Sequence, residues 1–398
     1  VKTPLEGVTV LDLSHALAGP YCSTMLADFG ATVIKIEPPS GDIARAWGIP
    51  VAGGETSYFI SLHRNKQSIT LDMKSPKGKA LFLEMVKKAD VVVENYRVGT
   101  LKKLGIDYEV AREHNPGIIY ASISGFGQDG PYRDRPAMDL ILQAESGMIS
   151  VTGEVGGKGV RCGVSIADLT AGFNAVIGIL MALRVKEKTG EGQSIDVSMM
   201  EGQMSLLGIM ISNYLMDPER TIPAPMGTAY AALLPYQTFR TATTDIALAV
   251  GSEKLWKAFC PAIGHPELMD HPLYRTNKER TQNFGQLIAL LQDIFLAQGY
   301  DYWETQLMAH GIPVGAVNDI SQLVDHPQVK ARGSLVDMDH PAAGPTQIVG
   351  VPMRLSKTPG SVRTPSPLLG EHTEQVLQAM LGLSVGEIAE LRAAGALG

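Results

Sequence analysis

Residues 8–37 read VTVLDLSHALAGPYCSTMLADFGATVIKIE. Val8–Leu13 is a strand by its apolar, β-branched run, Gly19-Pro20 opens a helical stretch over Tyr21–Phe29, and Thr32–Glu37 is a second strand. Both strands are apolar nearly throughout rather than alternating, the mark of strands covered on two faces. The pattern recurs downstream. Ser68–Asp72 starts a third strand, Lys77–Lys88 is a helix with Leu81, Leu83, Met85 and Val86 apolar, and Asp90–Glu94 and Ile118–Ser122 complete the series. Strands alternating with helices predict an α/β fold, a doubly wound parallel sheet.

The middle of the chain changes character. Met138–Ser150, Leu169–Lys188 and Glu201–Met216 read as helices, the second and third apolar enough to be buried, with a short strand at Gln193–Val197 between them. Pro223 and Pro225, followed by Gly227, mark a linker. A smaller α+β unit follows, with strands at Tyr236–Arg240, Asp245–Val250 and Val314–Val317 and helices at Glu253–Ala262, Asn283–Ala297 and Tyr302–His310. Strands at Ser334–Met338 and Gln347–Val351, an extended strap with Pro352, Pro359, Pro365 and Pro367, and a helix from His372 end the chain. The expected organisation is a large domain over 1–200 completed by 330–398, a linker over 201–225, a small domain over 226–325 and a return segment over 326–398.

The 398 residues carry 34 Lys and Arg against 41 Asp and Glu, a net charge of −7, which argues against a nucleic-acid binder. Cys22, Cys162 and Cys260 form no CxxC pair, so neither a disulfide framework nor a zinc site is expected, and a reducing cytoplasm is the natural setting. No basic start precedes an apolar core at the N-terminus, and Ala171–Leu183 and Leu206–Met216 fall short of the ~20 residues a bilayer requires. No membrane contact is expected.

Gly125–Gly130 (GFGQDG) fits the dinucleotide pattern GxGxxG after a strand, but Pro131 and Pro136 forbid the helix N-terminus that would hold a pyrophosphate, so it reads as a surface loop. The nine His residues have no metal-ligand spacing, and no metal is expected. Asp168, at the entrance to an apolar helix, reads either as a helix cap or as a carboxylate facing a cleft beside free N–H groups.

Several blocks together resemble the family III CoA-transferases, the group that includes formyl-CoA transferase, carnitine CoA-transferase and α-methylacyl-CoA racemase. They are LEGVTVLD at 5–12, AGP at 18–20, DFGATVIKIE at 28–37, NKQS at 65–68, LDMK at 71–74, VENY at 93–96, GFGQDGP at 125–131, GVSIAD at 163–168, KTGEGQ at 188–193 and PLLGEH at 367–372. The resemblance implies a Rossmann-like large domain and a smaller domain in an interlocked, ring-like homodimer. It implies Asp168 as the nucleophile, acylated in turn as a mixed anhydride and a CoA thioester, with coenzyme A or acyl-CoA as substrate and no permanently bound cofactor.

By position, His15, Ala16, Leu17 and Ala18 match the family's loop near the CoA thiol. Leu71, Lys74, Asn95, Tyr96, Arg97 and Lys103 match segments around the adenine and phosphates. Arg135, Met138 and Asp139 match the segment that closes over the nucleotide. Leu17, where formyl-CoA transferase has glutamine, and the reduced glycine run at Val250-Gly251-Ser252-Glu253 argue against formyl-CoA/oxalate chemistry. Met138 stands where the racemase branch has a histidine, and methionine cannot shuttle the α-proton, so transfer is favoured over racemisation. A non-catalytic CoA-binding scaffold is a further alternative, disfavoured by the presence of Asp168. A dicarboxylic acceptor would need a cation for its second carboxylate, and Arg45, Arg64, Arg133 and Arg161 are candidates.

Overall fold

The computed structural model describes residues 3–230 and 232–398. In chain order the first elements are β1 (Thr9–Asp12), α1 (Ala18–Asp28), β2 (Thr32–Glu37), α2 (Ser57–Leu62), β3 (Lys66–Thr70), α3 (Pro76–Val86), β4 (Val91–Glu94), α4 (Thr100–Leu104), α5 (Tyr108–His114) and β5 (Ile119–Ser124). Next come α6 (Asp139–Glu145), α7 (Met148–Val151), α8 (Ile166–Thr189), β6 (Ser194–Ser198), α9 (Met199–Leu206) and α10 (Gly208–Met216).

The six strands form one sheet in the order β3-β2-β1-β4-β5-β6, every neighbouring pair parallel. The strands are apolar throughout because both faces are covered. Val10, Val33, Val91, Val93 and Ile119 pack with α1 and α8 on one side. Leu11, Ile34, Ile69 and Val92 pack with α3, Leu377 and Ile388 on the other. Each such fully buried aliphatic side chain contributes about 1.5–3 kcal/mol. Strand order reverses between β1 and β4, and ligands of open parallel sheets bind in the crevice at the carboxyl ends of such a pair.

The chain divides into two compact units. The sheet unit takes the segment ending at Met148, Cys162–Arg220 and Pro327–Gly398. Its last part holds an antiparallel hairpin, Leu335–His340 with Gly344–Val349, then the helices Thr373–Leu381 and Val385–Ala393. The Pro-rich strap between the hairpin and the helix Thr373–Leu381 has no regular element and is pinned from the side. Asn65 Oδ1 accepts the amide of Arg363 at 2.7 Å, and Arg363 donates to the carbonyl of Ala27 at 2.6 Å.

The other unit, Ile149–Arg161 with Thr221–His326, has an antiparallel sheet of β7 (Tyr236–Phe239), β8 (Ile246–Ala249) and β9 (Val314–Ala316). Its core is aromatic, with Trp256, Phe259, Phe295 and Trp303 buried together.

Three expectations are corrected. The helix expected over Met138–Ser150 is two short ones, α6 and α7, broken at Ser146-Gly147. Residues 201–225 are not a linker throughout, because α9 and α10 run to Met216. Neither α8 nor α10 is buried all round. In α8 only the face carrying Ala171, Gly172, Ala175 and Ile179 is packed, while Phe173, Ile177, Leu180, Met181 and Val185 are exposed. None of α10 is buried. Apolar content on every side of a helix signals burial on every side only when something in the same chain covers each face. With 24 residues, α8 also exceeds the expected apolar window and is long and apolar enough to cross a bilayer, although its inner face packs on the sheet.

Candidate active site

Backbone geometry at the switch point is fixed by side chains. Asn95, just past β4, clips the loop after β1: its Oδ1 accepts the amide of His15 at 2.9 Å and its Nδ2 donates to the His15 carbonyl at 2.8 Å. The His15 ring meets the Tyr96 ring edge-on at 5.0 Å. Burial pulls the His15 imidazole below its usual range, and burial likewise raises the Tyr96 phenol.

Beyond this loop α1 begins. Pro20 in its first turn lacks only an N–H that would have no helical partner there. The amides of Leu17, Ala18 and Gly19 accordingly have no acceptor within the helix.

Helix α8 crosses α1 at its start. A side chain at Gly172 would put a Cβ 2.9 Å from the Ala18 carbonyl oxygen and 3.0 Å from the Tyr21 ring, so only glycine permits the approach. Asp168 lies one turn earlier on the same face of α8. It is half-buried, and burial, followed by repulsion from Asp139, raises its carboxyl to about 7. It is not the helix cap: Ser165 occupies that position and makes no side-chain capping bond.

The first turn of α8 is capped from another helix. Asp139, the first residue of α6, accepts the Ala167 amide at 2.9 Å through Oδ1 and the Gln143 amide group at 2.7 Å through Oδ2. Gln143 in turn accepts the Cys162 amide at 2.8 Å. Two carboxylates therefore share one helix start: Asp139, the more buried, is engaged by amides, and Asp168 has its carboxyl raised.

Sequence reasoning missed Tyr58 and Asp42. Burial, then the charges of Asp168 and Asp42, push the Tyr58 hydroxyl up to about 12, so it is a proton-bearing group within electrostatic reach of Asp168. Its ring meets Trp47 edge-on at 5.6 Å. Neither residue lies in a motif with a readable spacing, and both reach the site only through the fold.

Lys74, Arg97 and Lys103 follow β3, β4 and the start of α4, all exposed, and none makes an ion pair or side-chain hydrogen bond among the described residues. Such cations are free for phosphates. Leu71 cannot line a slot with its side chain, which is 1% exposed in the core beneath α3. Arg135 is engaged elsewhere, paired with Glu145 at 2.8 Å and stacked over Tyr132 at 4.2 Å. Met138 is 66% exposed.

Two of the arginines considered for an acceptor carboxylate are already committed. Arg64 grips Asp28 at 2.7 Å, and Arg45 grips Glu37 at 2.8 Å. Arg133 is exposed and lies 3.5 Å from the carboxylate of its neighbour Asp134. Gly125–Gly130 leads into a helix-free stretch up to Met138, as the two prolines require. Among the described residues no group of three His, Cys, Asp or Glu side chains is placed to hold a metal ion.

The profile described as CoA-transferase family III matches residues 5–373. The chain belongs to the family III CoA-transferases. This CoA-transferase is 38% identical over 393 residues to the human succinyl-CoA:glutarate CoA-transferase, covering 98% of this chain and 89% of that protein. It is 40% identical over 385 residues to the succinate–glutarate CoA-transferase of Agrobacterium fabrum, covering 94% and 95% of the two chains. The formyl-CoA:oxalate CoA-transferase of Streptomyces avermitilis is also similar, at 34% identity over 413 residues and 99% of each chain. Among solved structures, a CAIB/BAIF family protein from Brucella suis superposes with a TM-score of 0.84 at 34% identity, over 96% of this chain and 100% of that one.

Proposed function

We propose that this CoA-transferase moves CoA from an acyl-CoA, with succinyl-CoA as donor, to a second dicarboxylic acid of the glutarate class, using Asp168 as nucleophile. The observation that carries this is a raised, half-buried Asp168 one turn before Gly172, the residue of α8 that meets the Ala18 carbonyl at the start of α1. The names of the relatives support the substrate class.

The Asp168 carboxylate attacks the thioester carbonyl, forming a mixed anhydride and releasing CoA thiolate. The amides of Leu17, Ala18 and Gly19 stabilise the oxyanion of that step. The thiolate attacks the Asp168 carbonyl, giving an aspartyl-CoA thioester and releasing the donor acid. The acceptor carboxylate displaces CoA from that thioester, and the thiolate then attacks the acceptor's acyl carbon, regenerating Asp168. Each step exchanges one activated carboxyl for another, and a partly dry site protects the anhydride from water. Lys74, Arg97 and Lys103 hold the phosphates of CoA. Met138 supplies no acid–base group, which speaks against racemisation.

We further infer a homodimer, interlocked as in the family. The outer stripe of α8 and the exposed apolar face of α10, with Ile209, Leu215 and Met216, are surface that a second copy would cover. The setting we infer is soluble and cytoplasmic, consistent with cysteines that form no disulfide among the described residues.

Incubating the enzyme with succinyl-CoA and a panel of acids, with mass spectrometry of the CoA products, tests the assignment. Glutaryl-CoA should dominate. A sharp preference for monocarboxylates would remove the dicarboxylate reading.

A further inference from the structure

Ala16 adopts φ +62°, a left-handed backbone that alanine takes up only at a cost. It lies immediately before the three amides assigned above to the oxyanion, so its conformation decides where they point. What holds it is buried. Lys35 Nζ donates to the Ser14 carbonyl at 2.9 Å and to Asp42 Oδ2 at 2.8 Å. Asp42 Oδ1 accepts the Ala44 amide at 2.9 Å and, at 3.4 Å, the amide of Ala16 itself. The side chains of Lys35 and Asp42 are only 1% and 2% exposed.

The pair is anchored in turn. Asp42 N–H donates to Glu37 at 3.1 Å, Arg45 grips both Glu37 oxygens at 2.8 Å, and Arg45 also donates to the Pro367 carbonyl at 3.2 Å. None of these side chains takes part in the chemical steps at Asp168.

We propose that the Lys35–Asp42 ion pair is a positioning device for CoA transfer: it grips Ser14 and Ala16 so that the amides of Leu17, Ala18 and Gly19 aim at the reacting carbonyl beside Asp168. The proposal rests on the functional reading above and adds two positioning residues to it. A buried ion pair is a poor source of stability in itself, because desolvation offsets its attraction. Its retention here is explained by what it holds.

Two variants test it. Asp42→Ala removes the grip on Ala16, and Lys35→Met/Asp42→Leu replaces the pair by apolar groups of similar volume, an exchange that folded proteins tolerate. In each, kcat should fall about ten- to a hundredfold, the cost of sub-ångström misplacement of transition-state donors. The dissociation constant of free CoA, measured by calorimetry, should change by less than about twofold, because Lys74, Arg97 and Lys103 are untouched. Adding Ala16→Gly to either variant should recover part of kcat, since glycine reaches a positive φ without steric cost.

Folded variants with unchanged kcat would overturn the proposal. So would a loss of kcat that tracks the fraction of unfolded protein, or one that Ala16→Gly does not relieve. Failure of the underlying reading has a different signature, because it would leave the unsubstituted enzyme without CoA exchange, or leave Asp168→Asn active.

Discussion

Asp139 Oδ1 accepts the backbone amide of Ala167 at 2.9 Å, so the carboxylate that starts α6 caps the helix that carries Asp168. The same carboxylate repels Asp168 and, after burial, is the second cause of its raised carboxyl, at about 7. Asp139→Asn keeps an acceptor for Ala167 and removes the charge. The ascending limb of kcat/KM against pH, expected near 7 in the unsubstituted enzyme because Asp168 must be ionised to attack, should move to lower pH. A limb that stays in place would show that Asp139 does not tune Asp168.

The raised carboxyl also sets a sign for stability. Asp168 titrates at about 7 in the folded chain against 3.8 unfolded, so the fold binds the extra proton between those values. The contribution of this group to stability is full below about pH 4, is lost as pH rises through about 7, and is flat above that. Asp168→Asn removes the loss. The variant should melt higher than the parent at pH 8 by differential scanning calorimetry while losing at least about a thousandfold in kcat.

Gly172 is required by the α1–α8 approach. Gly172→Val would drive a side chain into the Ala18 carbonyl and the Tyr21 ring, and should cost about 1–3 kcal/mol in denaturant unfolding. Because Asp168 is one turn away on the same face, kcat should fall further than stability alone explains. Retained kcat at full folding would separate Asp168 from that contact.

The unpaired cations predict a salt-sensitive substrate affinity. Neutralising Lys74, Arg97 or Lys103 to Gln should each raise KM for acyl-CoA by roughly tenfold, about 1.4 kcal/mol per lost phosphate contact, with kcat little changed. CoA lacking the 3′-phosphate should be insensitive to at least one of the three substitutions, which locates that phosphate.

The exposed stripe of α8 predicts that a charge there impairs assembly. Met181, 65% exposed, changed to Glu should lower the fraction of dimer recovered after refolding, read by analytical ultracentrifugation, because interlocked chains assemble only as they fold. A monomeric parent would contradict the dimer outright.

The parallel sheet was legible because Val10, Ile34 and Val92 lie in strands apolar on both faces, a pattern that depends only on neighbours along the chain. The apolar outer faces of α8 and α10 misled for the same reason, since hydropathy reports what a helix could bury and not whether a cover exists. The site was legible only in part. Asp168 stands out at a helix entrance, but its cap comes from Asp139, on a separate helix upstream, and Tyr58 approaches from a different segment altogether. Arg45 and Arg64 looked free in the sequence because their partners, Glu37 and Asp28, lie on β2 and α1 and meet them only after folding.

The most direct test of covalent catalysis at Asp168 is to trap it during turnover. Hydroxylamine added while succinyl-CoA and glutarate are being consumed should convert Asp168, and no other carboxylate, to its hydroxamate, seen by peptide mass spectrometry. Borohydride should reduce the same position from its thioester to an alcohol. Continued exchange with an unmodified Asp168 under both reagents would contradict the account.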